Sequence, residues 1–136
     1  MEKAIFDKPF LIITHDDEHK LIHLRWKQLA TSEEFRGALN YALSVVMEKK
    51  VERWLANLRD MSIIREADRK WTNDEWFPKL VKTKLRKLAI VNSLDYLNQS
   101  SVTKIMTHAG NIINFETNYF TDVNAAKEWL LSGFII

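Results

Sequence analysis

The chain reads as an α/β layered domain: a β-hairpin, then helices and strands in alternation, in the order β-β-α-β-α-β-α-β-α. Three observations predict it. Two alternating apolar segments flank a short polar turn near the N-terminus. Apolar periodicity then switches repeatedly between helical and extended spacing. No repeat, linker or low-complexity stretch divides the 136 residues, so 1–136 reads as one domain. The expected sheet has five strands and is mostly parallel. Its first strand is antiparallel, because a short connection joins it to the second, and lies on an edge.

The hairpin comes from residues 9–15 (PFLIITH) and 20–27 (KLIHLRWK), with Asp16, Asp17 and Glu18 in the turn. In the second segment Ile22, Leu24 and Trp26 alternate with His23, Arg25 and Lys27. Thr31-Ser32-Glu33-Glu34 has the form of a capping box, which opens a helix with Phe35, Ala38, Leu39, Ala42, Leu43, Val46 and Met47 in one apolar stripe. Val51 to Leu58 comes next as a strand. The second helix runs from about Glu66 to Leu85, acidic at its start and basic at its end as the helix dipole favours. Pro78 inside it predicts a kink or restart near Asn73–Glu75, since proline removes a hydrogen bond and clashes with the preceding turn.

Residues 87–92 (KLAIVN) form a short strand covered on both faces. Ser100 or Ser101 caps a third helix carrying Val102, Ile105, Met106 and Ala109, which Gly110 ends. Residues 112–120 make the last strand, with Ile113, Phe115, Thr117 and Tyr119 toward the core and a polar outer side suited to an edge. Thr121 or Asp122 then caps a final helix with Val123, Ala126, Trp129 and Leu130 inward.

Composition excludes more than it assigns. At 46% hydrophobic and 28% charged residues the chain is an ordinary soluble globular sequence. No apolar run reaches the ~20 residues of a membrane span, and MEKAIFDKPF has no signal-peptide core, so a cytoplasmic address is expected. The absence of cysteine removes disulfides, thiol nucleophiles and cysteine-ligated zinc. A net charge of +2 is too balanced to imply nucleic acid. None of the three glycines, Gly37, Gly110 and Gly133, lies between a strand and a helix start, which argues against a phosphate-cradling nucleotide loop.

Three segments carry a resemblance: LANLRDMSII (55–64), EWFPKLVKTKLRKLAIVN (75–92) and YFTDVNAAKEWL (119–130). With them the chain resembles the STAS superfamily, in particular its SpoIIAA-like branch, over residues 9–132 as topology. That branch has structural kinship with CRAL-TRIO-type lipid-binding domains. In anti-sigma-factor antagonists of this superfamily an Asp-x-Ser stretch leads to an Asp-Ser-Ser-Gly-like helix start whose serine is phosphorylated. Here Asp60-Met61-Ser62 matches the first element and Asp68 aligns with the second aspartate. Arg69 and Lys70 stand where the serines belong, and Trp71 stands for the glycine. The resemblance thus implies a regulatory, non-catalytic module that binds a protein partner and lacks the usual phospho-acceptor.

Asp60, Met61, Ser62, Ile63, Ile64 and Asp68 are accordingly the candidate partner-binding or ligand-binding loop. Trp76 and Leu80, nearly opposite the helix stripe of Ala67, Trp71, Phe77 and Val81, are the candidate interface of a homodimer. His15, His19 and His23 with the acidic turn between them suit a metal in residue type, but a polar exposed turn explains them, and neither metal nor cofactor is expected. Lys79, Lys82, Lys84, Arg86 and Lys87 read as a solvated helix end, not a nucleic-acid surface. Ser62 near Asp60 is the best nucleophile-like pair, without a histidine placed beside it. The alternative function is a carrier or sensor of a small apolar or lipid-like ligand, its pocket lined by the abundant aromatics.

Overall fold

The computed structural model describes residues 1–134. Six strands form one sheet in strict chain order: β1 (Glu2–Lys8), β2 (Leu11–Asp16), β3 (Leu21–Trp26), β4 (Arg53–Asn57), β5 (Lys87–Val91) and β6 (Glu116–Phe120). β1, β2 and β3 pair antiparallel, and β3 through β6 pair parallel. The parallel sheet is as expected, but there are six strands and not five. The added strand, β1, takes the edge, so the expected first strand becomes β2 and is paired on both sides. A bulge between Ala4 and Phe6 explains the omission. It breaks the period-2 pattern by which a strand is recognised, and β1 buries little besides parts of Ile5 and Phe6.

Helix α1 (Ser32–Lys49) opens on the expected capping box: Glu34 N–H donates to Thr31 Oγ1 at 3.1 Å and Thr31 N–H to Glu34 Oε1 at 2.9 Å. Its stripe is buried except for Met47, which is exposed, while Val45 turns inward. The segment around Pro78 is the largest departure from expectation. It divides into α2 (Glu66–Trp71), a π-turn (Thr72–Trp76) and α3 (Phe77–Leu80). The break lies where proline predicts it, and Phe77 N–H reaches back five residues to Thr72 O. The wider turn resets the helical register. Trp76 and Leu80, expected outward, are therefore 4% and 1% exposed, and the interface expectation for this pair is corrected. Trp76 Nε1–H donates to Leu39 O at 3.0 Å, and its ring meets Trp54 and Phe77 edge-on.

Helix α4 (Tyr96–Ala109) begins a turn earlier than expected. Asp95, not a serine, caps it, accepting from Leu97 and Asn98 N–H at 2.9 and 3.2 Å. Ser101 instead bonds back to Leu97 O within the helix. Gly110 ends α4 with right-handed φ.

Strands laid in chain order with right-handed crossovers place their helices on one face. Accordingly α1, the α2–α3 segment and α4 bury Phe35, Leu39, Trp76, Phe77, Val102 and Ile105 against the sheet row Ile13, Leu24, Ala56, Ile90. The opposite face is covered by α5 (Val123–Leu131), capped by Asp122, whose Ala126 and Leu130 pack on Leu21, Leu55, Ala89 and Val91. Lys87 is not part of a solvated cluster. Its ammonium is buried and donates to Trp129 O at 2.7 Å, Ser132 O at 3.3 Å and Ser132 Oγ at 2.9 Å, closing the C-terminus of α5. Arg53 Nε–H adds a bond to Leu130 O at 2.7 Å.

Trp76→Ala is expected to destabilise the protein by about 3–5 kcal/mol, the usual result of emptying a buried aromatic site. Urea denaturation with circular dichroism as the readout measures it. An interface role would instead leave the stability of the monomer unchanged.

Candidate functional site

The C-terminal ends of β3, β4 and β5 lie side by side, and the loops that leave them form one surface. This is the edge at which open α/β sheets commonly bind. The middle loop carries the candidate residues. Asp60 is exposed, with its carboxylate 4.0 Å from Arg25 Nη2. Met61 and Ile64 are buried, Ser62 is half-buried, and Ile63 between them faces solvent. Asp68 is 1% exposed and lines the same hollow as Ile63 and Ile64, where it accepts from Ser32 Oγ and Arg36 Nε, both at 2.9 Å, and ties α1 to α2. Among the described residues no hydrogen bond links Ser62 to Asp60 or to a histidine.

The loop is held by residues that sequence reasoning passed over. Asn98, fully buried on α4, accepts from Ile64 N–H at 3.1 Å and donates Nδ2–H to Met61 O at 3.4 Å. Ser93 Oγ also donates to Met61 O, at 3.2 Å, and Asn57 Oδ1 accepts from Arg59 N–H at 3.2 Å. The loop backbone is thus organised by Asn57, Ser93 and Asn98. Nothing in the sequence around Asn98 signalled this, because its partners Met61 and Ile64 lie more than 30 residues away.

Leu29 and Leu94 are exposed on the loops that flank Ile63, and Tyr96 and Leu97 on the first turn of α4, with Tyr96 83% and Leu94 72% accessible. Leu29 and Ile63 line one shallow hollow, and Leu94 N–H bonds to Arg59 O at 3.0 Å, which fixes the third loop to the second. Arg59, Arg65, Asp60 and Asp95 are exposed on the same loops. Several exposed apolar side chains among charged neighbours at one end of a domain are a common mark of an interaction surface.

Beneath the middle loop is a cavity of ≈ 100 Å³ between the sheet and the helices. Trp26, Trp54, Trp76, Phe77, Met61 and Met106 are among its walls. Thr72 also lines it, and its hydroxyl already donates to Asp68 O at 2.7 Å. The π-turn supplies Thr72 and Trp76 to the wall, in line with the frequent occurrence of such turns at functional positions.

At the opposite end, Asp16, Glu18 and His19 have ligand atoms within 4.8 Å of one another. Asp16 is already engaged by His19 Nδ1 at 2.7 Å and by the Met1 amine at 3.1 Å. Burial alone raises its pKa, but these hydrogen bonds outweigh burial and hold the carboxyl below its usual range. His15 and His23 point away from this turn onto opposite sheet faces, as β alternation requires, so the three histidines do not converge. His23 is lowered to about 4, first by burial and then by Lys127, with Arg25 adding to the effect and Glu2 opposing it.

These features define a class, a STAS-type α/β domain whose loops gather at the C-terminal strand ends. The SpoIIAA-like family model matches residues 21–131, from β3 to the end of α5, and the chain belongs to that family. No curated protein and no solved structure matches the chain.

Asn98→Leu leaves Met61 O and Ile64 N–H without their clamp and is expected to destabilise the protein by about 1–3 kcal/mol. Amide exchange at Ile64 and the residues beside it should rise beyond the global change. For His23, the folded pKa lies below the unfolded one, so stability is full above pH 6.5 and is lost as pH falls toward about 4. The loss is on the order of 3 kcal/mol. Denaturant titrations at pH 7, 5.5 and 4.5 should show it, and His23→Gln should remove that slope. Asp16 adds a separate loss only below the ordinary carboxylate range.

Proposed function

We propose that this SpoIIAA-like domain is a non-catalytic module that regulates a protein partner through the surface formed by Asp60–Ile64 and its flanking loops. The observation that carries the proposal is the set of exposed apolar side chains Leu29, Ile63 and Leu94 on three adjacent loops and Tyr96 and Leu97 on the first turn of α4. Arg59 and Arg65 alternate there with Asp60 and Asp95. A rim of both signs suits a protein surface, whereas nucleic acid and anionic membrane attract cations alone. Such a module needs no cofactor and works in the cytoplasm as one domain over 1–136.

Loss of the phosphoswitch is part of the proposal. Arg69 and Lys70 occupy the acceptor positions and cannot take phosphate as serine does. The neighbouring Thr72 is buried with its hydroxyl committed to Asp68 O. Regulation then comes from something other than phosphate at this helix start. Homodimerisation no longer has Trp76 and Leu80 to use, and a second copy would have to dock on the loop surface instead.

A second reading, a carrier or sensor of a small apolar or lipid-like ligand, is favoured by the ≈ 100 Å³ apolar cavity. It agrees with the proposed CRAL-TRIO kinship, although ordinary ligand pockets are about 300–1,000 Å³, which leaves too little room here for a whole lipid.

A photo-crosslinking residue at position 63 or 96, introduced in the native host, should capture one partner in high yield. The same probe at Met47, exposed on α1 away from the loops, should not. Equal capture at all three positions would mean that the loop surface is not the interface. The mass of the adduct separates a foreign partner from a second copy of this chain.

A further inference from the structure

The cavity and the loop share walls. Met61 and Ile64 line the void, while Ile63 between them is exposed on the proposed docking surface. Asn98 clamps both wall residues to α4, and α4 itself contributes Val102, Ile105 and Met106 to the cavity. A guest in the cavity therefore presses on the segment that a partner would touch.

The lining also selects the guest. Among the described residues no charged side chain lines the void. Two of its polar groups, Thr72 Oγ1 and Trp76 Nε1, already donate to Asp68 O and Leu39 O, and the remaining lining is almost wholly apolar, which disfavours an ionised ligand. An engineered apolar cavity of about 150 Å³ stays dry and binds benzene or xenon. The cavity here is smaller, at ≈ 100 Å³, but Met61 and Met106 are unbranched and can yield to a guest. Trp26, Trp54, Trp76 and Phe77 add the polarisable surface that a flat aromatic or short hydrocarbon prefers.

We propose that this cavity is a binding site for a neutral apolar molecule of about benzene's size, and that its occupation resets the Met61–Ile64 loop. The coupling half rests on the docking role of that loop; the binding half does not. Occupation displaces no hydrogen bond, and its effect reaches Ile63 through the two backbone groups that Asn98 holds. The domain is then regulated from inside by a small apolar metabolite, in place of a phosphate on its surface.

The test is a titration of isoleucine-methyl-labelled protein with benzene, read by NMR. Ile64, Ile90 and Ile105 line the cavity and should shift saturably, and Ile63 should shift with the same midpoint. Ile12, on the sheet face away from the cavity, should not move. Val102→Phe fills the void and should abolish the shifts, and Val102→Ile, which strains the core less, should weaken them several-fold. Absence of saturable shifts in the wild type overturns the site. Saturable shifts at Ile64 and Ile105 with Ile63 unmoved overturn the coupling. Failure of the crosslinking experiment with all shifts intact would remove the docking surface while leaving the binding site standing.

Discussion

Strand order is the constraint on which the rest of this structure depends. Because β3 to β6 lie side by side in the order of the chain, each right-handed crossover falls on the same face. Three helical bodies must then share that face over a twisted sheet, and α5 is left for the other. The crowded face holds the large aromatics and the cavity among them. The same order brings the loops after β3, β4 and β5 together at one edge, so the exposed apolar surface and the void beneath it have one origin.

The sparse face is held by different physics. α5 is short, and its buried contacts are small residues and leucines. Its C-terminal carbonyls are closed by two cations from the sheet, Lys87 and Arg53. The Lys87 ammonium also sits 4.7 Å from the centre of the Trp129 ring. Burial pushes its pKa down, which reflects the penalty of taking the charge from water. Three hydrogen bonds offset that penalty, and two of their acceptors are carbonyls of the kind a helix end leaves unpaired.

The features legible in the sequence are those that depend on local chemistry. Thr31 and Glu34 announce α1 because a capping box is a contact between residues three apart. Thr121 and Asp122 announce α5 in a similar way, Asp122 being the cap, and residues 87–92 read as a buried strand from their apolar run. The features that escaped depend on distant partners or on irregular backbone. Lys87 looks like one cation among several until α5 is placed over it. Asn98 looks like a surface residue until the Met61–Ile64 loop arrives, and the tie of Asp68 to α1 shows only once Ser32 and Arg36 reach its two oxygens. β1 escaped because its bulge hides its alternation, and Trp76 was turned outward by a periodicity the π-turn does not obey. The loop of the candidate site was found, but the residues that hold it in place were not.

The π-turn also bears on how this segment tolerates change in length. It contains one residue more than an α-turn would need between Asp68 and Phe77. Deleting one residue within 72–76 lets the turn close to regular α-helix with α2 and α3 nearly in phase, because the wider turn has absorbed the extra residue. The Asp68 contact to α1 and the places of Phe77 and Leu80 in the core then survive. A deletion in the regular turns on either side would instead rotate α2 by about 100° against α3, so the segment can shorten at the π-turn and not beside it. Pro78 fixes the point at which the extra residue must be absorbed, since its missing N–H leaves a carbonyl of the preceding turn with no regular partner.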